Sequence, residues 1–128
     1  MTENYFSGSK FVKELKSSDF ENEATWKLKD KKCCAILFYA PWCPHCKAMK
    51  ETWEQLGQTA SFFRIYAYNC EENKSHLEKL REDTPNLVEG YPTMIVYKSG
   101  NPSEKIGQDT EQRKLSNLVK ACMRICKD

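Results

Sequence analysis

The chain has 128 residues, of which 40% are hydrophobic and 30% are charged. This balance predicts one globular domain with a substantial core and excludes a disordered chain. The net charge of +2 is too small to indicate a nucleic-acid partner, because no basic stripe accompanies it. No apolar run reaches the length of a membrane span, so we expect no membrane partner.

The two ends of the sequence carry no recognisable targeting signal. The start lacks a basic flank followed by an apolar block, and the last residues match no retention or lipidation motif. As written, the sequence predicts a cytoplasmic protein, or one from a compartment like the endoplasmic reticulum if a signal has been removed. Residues 1–10 are polar and predict a flexible N-terminal segment, so the single domain is expected over 11–128.

Apolar periodicity and turn residues divide the chain into alternating strands and helices. The predicted elements, in chain order, are a strand over 11–15, a helix over 18–29 with a capping box of Ser18 and Glu21, a strand over 33–39, a helix from His45 through Leu56, a strand over 62–69, a helix from Glu71 to Thr84, a strand over 94–97, a turn over 99–102, a strand at 105–106 and a helix over 111–126. The β-α-β portions require parallel strands with right-handed crossovers, and the last two strands predict an antiparallel hairpin. The fold class is therefore α/β, with a mixed sheet flanked by helices.

A Cys-x-x-Cys pair, Cys43 and Cys46, lies where the strand over 33–39 gives way to a helix. Unpaired amides at a helix N-terminus favour a thiolate, and Cys43 is closest to that end. Cys46 follows one turn later and is close enough to resolve a mixed disulfide. A donating imidazole from His45 would stabilise the Cys43 thiolate further and make the disulfide more oxidising. Pro44 suits the first helical turn, where no amide hydrogen is needed.

Two other interpretations of this pair are a structural disulfide and half of a zinc site. Zinc takes four ligands, and the sequence has no second Cys-x-x-Cys or His pair at ligand spacing. The redox interpretation is therefore favoured, and we expect neither a metal nor another cofactor.

The segment from Phe38 to Ala48 resembles the active-site segment of the thioredoxin superfamily, and is most similar to the catalytic domains of protein disulfide isomerases. Those domains usually carry Gly where this chain has Pro44, and its Pro-His dipeptide is similar to that of the periplasmic oxidase DsbA. The turn Tyr91-Pro92-Thr93 resembles the cis-proline turn of the same superfamily. The resemblance covers about residues 11–125 and implies a thioredoxin-like fold, with Tyr91, Pro92 and Thr93 holding an extended substrate.

Three positions depart from the superfamily pattern. Members commonly carry a buried acid six residues before the first cysteine, to move the proton of the second cysteine, and a Lys facing it; these positions are Leu37 and Ala67 here. Glu51 replaces a helix-kinking proline, which predicts a straighter helix. The resemblance also implies that Arg113 corresponds to the mobile Arg that supports the site in isomerases.

Five further cysteines lie outside the motif, at positions 33, 34, 70, 122 and 126. Cys33 and Cys34 are expected to be packed thiols on opposite faces of a strand, Cys70 to be inert, and Cys122 to belong to the core. Cys126 is close to the end of its helix, where an alternative is a bond between two chains. A full disulfide scaffold is not expected, because a domain of this size does not need one.

Three aromatic or imidazole positions have alternative interpretations. His76 stands among charged residues and is expected at the surface, whereas Trp26 and Trp53 are expected in the core. Trp42 precedes the first cysteine in a loop, so it either packs or faces a substrate.

These features predict a thiol-disulfide oxidoreductase that acts on protein cysteines through Cys43 and Cys46, with Trp42, Pro44, His45 and Arg113 in support. The sequence around the pair favours oxidase or isomerase activity. One alternative is a general disulfide reductase of the thioredoxin type. Another is a peptide-binding or assembly module with little turnover, favoured by Leu37 and Ala67. We expect a monomer whose partners are protein substrates and a reductase or oxidase that recharges the site.

Overall fold

The computed structural model describes residues 4–60 and 63–127. Its elements are the strands β1 (Lys13–Glu14), β2 (Cys34–Tyr39), β3 (Arg64–Asn69), β4 (Thr93–Lys98) and β5 (Asn101–Ile106), and the helices α1 (Pro44–Thr59), α2 (Lys74–Asp83) and α3 (Leu115–Cys126). The strands form one five-stranded sheet in the order β1-β3-β2-β4-β5. β1, β3 and β2 are parallel, whereas β4 and β5 are antiparallel to their neighbours. The predicted mixed sheet flanked by helices is confirmed.

The central strand β2 is buried along its whole length, as its unbroken apolar sequence predicts. Ala35, Leu37 and Tyr39 face the layer formed by α1 and α3. Cys34, Ile36 and Phe38 face the layer formed by α2 and the segment before β2. Because β2 leads directly into the Cys-x-x-Cys pair, that pair follows a fully buried strand at the centre of the sheet.

The helix predicted over 18–29 is wrong. Only a single 3₁₀ turn forms, at Ser17–Asp19, and the carboxylate of Asp19 accepts a hydrogen bond from the amide of Lys16 at 2.7 Å, in place of the predicted Ser18 and Glu21 box. Phe20, Trp26 and Leu28 are all buried on the α2 side of the sheet. The segment that carries these three residues is irregular, because a helix would turn some of their side chains away from the sheet.

The hairpin at the other edge of the sheet is longer than predicted. Its turn is the two residues Ser99 and Gly100, with φ of 54° and 83°, so β5 begins at Asn101 instead of near Lys105. A two-residue turn with positive φ at both positions matches the twist of the strands that it joins. At Gly100 a Cβ would also lie 2.7 Å from the carbonyl of Leu28. The last helix begins at Leu115, four residues later than position 111.

The N-terminal segment is packed where the structure describes it. Tyr5 and Phe6 are 8% and 3% exposed and lie in the same core cluster as Tyr39. The packed domain therefore begins before residue 11, contrary to the predicted boundary. Residues 1–3, Phe62 at the predicted start of β3, and residue 128 lie outside the described residues.

His76 is buried, so its predicted surface position is wrong. It shares the inner face of α2 with Leu77 and Leu80, and its Nδ1 lies 2.7 Å from the hydroxyl of Tyr68. The charged residues around it in sequence occupy the outer face of the same helix. Burial holds the pKa of His76 below its ordinary value of 6.5.

A disulfide joins Cys33 to Cys126, with a sequence separation of 93 residues. It links the start of β2 to the last residue of α3. The expectation that Cys33 is a packed thiol is wrong, and Cys126 is bonded within the chain instead of to a second chain. Cys34, Cys70 and Cys122 are buried free thiols, and Cys122 lies in the core as predicted.

Candidate active site

The Cys-x-x-Cys pair lies at the junction between β2 and α1. Cys43 is the N-cap of α1, and Pro44 occupies the first turn. The Cys43 Sγ accepts a hydrogen bond from the Cys46 amide at 3.3 Å. One of the unpaired amides at the start of the helix therefore points at the Cys43 sulfur, which is the arrangement expected to favour a thiolate.

The two thiols differ in depth. Cys43 is 5% exposed and Cys46 is fully buried, and both are free. Burial and the hydrogen bond with Cys43 raise the pKa of Cys46 to about 12, while the Ala40 backbone and the Arg113 guanidinium act in the opposite direction. At neutral pH the inner thiol is therefore held protonated, so only the outer sulfur is suited to start an exchange.

The turn at residues 90–93 lies against the outer thiol. The Tyr91–Pro92 peptide bond is cis, and the Tyr91 carbonyl accepts a hydrogen bond from the Cys43 Sγ at 3.4 Å. The Thr93 hydroxyl donates to the Gly90 carbonyl at 2.6 Å and closes the turn. The structure thus brings the predicted turn and the predicted cysteine pair together.

Trp42 forms one wall beside the pair. Its side chain is 61% exposed, its Nε1 donates to the Glu71 carboxylate at 2.7 Å, and its ring lies edge-on to Tyr91 at 6.1 Å. On the far side, Arg81 donates to the Tyr91 hydroxyl at 3.0 Å. These four side chains line a cavity of about 240 Å³ that Ala40 and Cys70 also border.

Glu71 and Arg81 were not identified from the sequence. The position of Glu71 did carry a signal, because it comes just after the end of β3, at the same sheet edge as the end of β2. Arg81 lies in the last turn of α2, and only the tertiary fold brings it to Tyr91.

The other predicted supporting residues are His45, Arg113 and Pro44. His45 is exposed, and within residues 4–60 and 63–127 its ring makes no hydrogen bond or ion pair. The Arg113 Nε donates to the Gly107 carbonyl at 2.8 Å, and its charge reaches Cys46 through space. Pro44 is exposed at the start of α1, as its place in the motif requires.

The positions at which the superfamily has an acid and a Lys are apolar here. Leu37 and Ala67 are register partners in β2 and β3, and both are fully buried. Glu14 follows in the same row, because it is the partner of Ala67 in β1. Its carboxylate accepts hydrogen bonds from the Tyr39 hydroxyl at 2.5 Å and the Phe6 amide at 3.0 Å. Burial raises the pKa of Glu14 above its ordinary value.

Glu14 was also missed from the sequence. It stands two residues after Val12, which is buried in the core. Alternation along a strand puts both side chains on the same face, so the spacing does indicate an inward carboxyl.

In the described part of the chain, no group of three or more His, Cys, Asp or Glu side chains is arranged to hold a metal ion. Over the same residues, no helix is both long and apolar enough to cross a membrane.

Comparisons with known proteins agree on the type of domain. The sequence model of the family described as Thioredoxin matches residues 11–121. A thioredoxin domain-containing protein 5 homolog of Drosophila melanogaster is 42% identical over 71 residues, which cover 51% of this chain and 16% of that protein. A protein disulfide-isomerase of Humicola insolens is 31% identical over 96 residues, or 73% of this chain and 18% of that protein. The chain thus spans less than a fifth of the length of these two relatives.

A search of solved structures gives the same fold. The J-Trx1 fragment of ERdj5 matches 94% of this chain and 52% of its own, with a TM-score of 0.72 and 22% sequence identity. Identity at this level shows the shared fold alone. The thioredoxin-like architecture predicted from the sequence is confirmed.

Proposed function

The chain belongs to the thioredoxin family, and from this premise we propose that it is a thiol-disulfide oxidoreductase acting on cysteines of protein substrates. The observation that carries the proposal is the difference in depth between Cys43 at the N-cap of α1 and the fully buried Cys46 one turn later. The similarity to protein disulfide isomerases supports the same activity.

In the oxidising direction the pair begins as a Cys43–Cys46 disulfide. A substrate thiolate attacks the Cys43 Sγ, a substrate–Cys43 disulfide forms, and the Cys43–Cys46 bond breaks with the electron pair leaving on Cys46, which then takes up a proton. A second substrate thiolate attacks the substrate sulfur of the mixed disulfide and releases the Cys43 thiolate. The substrate has lost two electrons and the pair has gained them.

In the reducing direction the Cys43 thiolate attacks a substrate disulfide and releases one substrate sulfur as a thiolate. Cys46 loses its proton and attacks the Cys43 Sγ, which frees the second substrate thiol and restores the Cys43–Cys46 disulfide. Isomerisation uses the first of these steps and its reversal at another substrate cysteine.

The substrate is proposed to lie along Tyr91, Pro92 and Thr93, with one side chain in the cavity between Trp42 and Tyr91. The Tyr91 carbonyl is aimed at the Cys43 sulfur, so a backbone bound along this turn would bring its cysteine to the same place. Arg113 is proposed to assist by lowering the pKa of Cys46. We propose that a single copy of the chain suffices.

We further propose that the bias is toward oxidation or isomerisation. Pro44 and His45 separate the two cysteines, and a donor close to the outer sulfur would stabilise its thiolate and make the disulfide a better oxidant. The Cys33–Cys126 disulfide supports the same bias, because such bonds persist in oxidising compartments.

The nucleophile is tested with Cys43→Ser, which is expected to abolish insulin-disulfide turnover; retained turnover would refute the assignment.

The proposed bias toward oxidation is tested by equilibrating the protein with glutathione. A Cys43–Cys46 redox midpoint as reducing as that of an ordinary thioredoxin would refute it. A general reductase is the alternative for this outcome, and turnover by a thioredoxin reductase with NADPH would support it.

A peptide-binding or assembly module is the second candidate. The observation that favours it is the apolar pair Leu37 and Ala67 beside a Cys46 with a pKa of about 12, because these features slow release of a mixed disulfide. Tight binding of unfolded peptides together with negligible exchange by the wild-type protein would favour this function over the first.

A further inference from the structure

The N-terminal strap, residues 4–9, packs beside the cysteine pair and lies outside the part of the chain that the family model matches. Asn69 donates to the Asn4 side chain at 3.0 Å, and the Ser9 hydroxyl donates to the Glu54 carboxylate at 2.6 Å. Tyr5 and Phe6, between these two anchors, are buried. The strap is therefore a fixed part of the site's surroundings.

Tyr5 is the strap residue that reaches the cysteine loop, residues 40–43. Its hydroxyl donates to the Pro41 carbonyl at 3.0 Å, and the Ala40 carbonyl lies 3.5 Å from the same oxygen. Its ring stacks on Tyr39 with centroids 4.3 Å apart, and its amide donates to the Tyr39 hydroxyl at 3.0 Å. Tyr5 thus holds both the last residue of β2 and the two residues that follow it.

Ala40 is in contact with both cysteines. Its carbonyl accepts from the Cys43 amide at 3.0 Å. Its backbone is also close enough to Cys46 to lower the pKa of that thiol. The Ala40 backbone, which Tyr5 holds in place, is therefore the group that connects Tyr5 to the two cysteines.

Glu14 anchors this arrangement from the neighbouring edge of the sheet. One carboxylate oxygen accepts from both the Phe6 amide and the Tyr39 hydroxyl. The acid therefore ties the strap to β2 at the residue that Tyr5 stacks on. Since the hydrogen bonds of Glu14 within the described residues go to Phe6 and Tyr39, its effect on the thiols passes through Tyr39 and Tyr5.

We propose that Tyr5 is a positioning residue for the resolving step, holding the backbone of Ala40 and Pro41 so that the Ala40 amide can stabilise the Cys46 thiolate as it attacks. This inference rests on the proposed exchange at Cys43 and Cys46. With Leu37 and Ala67 in place of an acid and a Lys, the backbone around Ala40 and the charge of Arg113 are the groups that act on Cys46. A loosened loop would therefore slow resolution more than it slows the first attack.

The test is Tyr5→Phe, which removes the hydroxyl and keeps the stacked ring. The reduced protein is mixed with oxidised glutathione and quenched in acid, and mass spectrometry follows the glutathione adduct on Cys43. The formation rate should change less than about twofold, while the adduct should decay about fivefold more slowly, the rate equivalent of one neutral hydrogen bond.

Tyr66→Phe is the matched control, because the Tyr66 hydroxyl also donates a hydrogen bond, but its acceptor is the carboxylate of Asp30 and not a carbonyl of the cysteine loop. It should leave the ratio of the two rates at the wild-type value. An unchanged ratio in Tyr5→Phe, or an equal change in Tyr66→Phe, overturns the inference.

Glu14→Gln is the second variant, used if Tyr5→Phe does not fold. It keeps the Tyr5 hydroxyl but weakens its anchor, so adduct decay should slow by a smaller factor; decay at the wild-type rate overturns the inference. Should the wild-type protein form no adduct that decays, the proposed function itself fails, and the inference fails with it.

Discussion

Two cysteine pairs stand at opposite ends of β2, and they differ in almost every respect. Cys43 and Cys46 are free thiols three residues apart, after the strand's last residue. Cys33 and Cys126 are bonded to each other across 93 residues, before its first residue. Cysteine therefore has a different role at each end of β2, and the surroundings of each pair determine that role.

The surroundings differ most in helix polarity. Cys43 caps the start of α1, where unpaired amides attract negative charge, whereas Cys126 is the last residue of α3, where unpaired carbonyls repel it. Helix polarity thus suits a negatively charged sulfur at Cys43 and opposes one at Cys126. The comparison indicates that one pair is built to exchange and the other to stay bonded.

The largest expected effect follows from removing the inner thiol of the exchanging pair. Cys46→Ser should stop the reaction at the mixed disulfide, so turnover should fall by about two orders of magnitude or more. Mass spectrometry of the acid-quenched protein should show the adduct persisting on Cys43. Cys122→Ser, which also removes a fully buried thiol, should turn over at the wild-type rate. Loss of the adduct in Cys46→Ser would mean that another group resolves it.

The opposite result is expected at the other pair. The double variant Cys33→Ser, Cys126→Ser should lose about 4–5 kcal/mol in the free energy of unfolding, because the unfolded chain gains freedom when a cross-link spanning 93 residues is removed. Urea unfolding measures this loss. Below the unfolding transition, insulin turnover should remain. A variant as stable as the wild type, or one that is folded and inactive, would contradict the division of roles.

A third change acts on β2 between the two pairs. Leu37→Asp introduces an acid at the position where the superfamily has one, so it should speed decay of the glutathione adduct. It should also lower the free energy of unfolding by about 3–5 kcal/mol, because Leu37 is fully buried. Ile36→Asp is the matched control: it is equally buried but faces the α2 layer, so it should destabilise without speeding decay. Equal decay rates in both variants would exclude a proton-transfer role for the position.

The smallest expected effect is at His76 and concerns how the free energy of unfolding, rather than the reaction of the thiols, depends on pH. His76 lies on the α2 side of the sheet, and burial lowers its pKa below 6.5. As the pH falls through about 6.5, the unfolded chain takes up a proton before the folded one does, so stability should decrease, by at most about 1.4 kcal/mol per pH unit.

In His76→Gln this part of the slope should disappear in urea unfolding series between about pH 7 and about pH 5. A variant with the wild-type slope would assign the acid sensitivity to other groups. The Tyr68 contact is expected to be kept, because a Gln side chain can also hydrogen-bond to the hydroxyl.

The sequence was informative where local pattern and tertiary structure coincide. The apolar run into β2 and the 3.6-residue period of Met49, Trp53 and Leu56 predicted the strand and helix that flank the cysteine pair. The Tyr91–Pro92 turn was also predicted, although its identification as a cis-proline turn came from the resemblance. These features depend on neighbours in sequence or on a motif.

The sequence was misleading where contacts between residues far apart in the chain determine the structure. No local pattern could select Cys33 over Cys34 as the partner of Cys126, because both belong to the same apolar run. The segment before β2 was predicted as a helix because Phe20, Ala24 and Trp26 recur with helix-like spacing. Burial of this segment against the sheet overrides that preference. The contacts of Tyr5 with Pro41 likewise join residues far apart in sequence, so only the folded chain shows them.

The Cys33–Cys126 bond also has a topological consequence. Between these two residues the chain is a closed covalent ring that holds four of the five strands and all three α-helices found in the described residues. A protease that cuts once in the exposed segment 82–86 would therefore release nothing: the nicked molecule would migrate as one species until the bond is reduced, and would then separate into two fragments. The strap and β1 lie outside this ring, so a cut between residues 15 and 33 would break the covalent connection between Tyr5 and the cysteine loop and leave the ring intact.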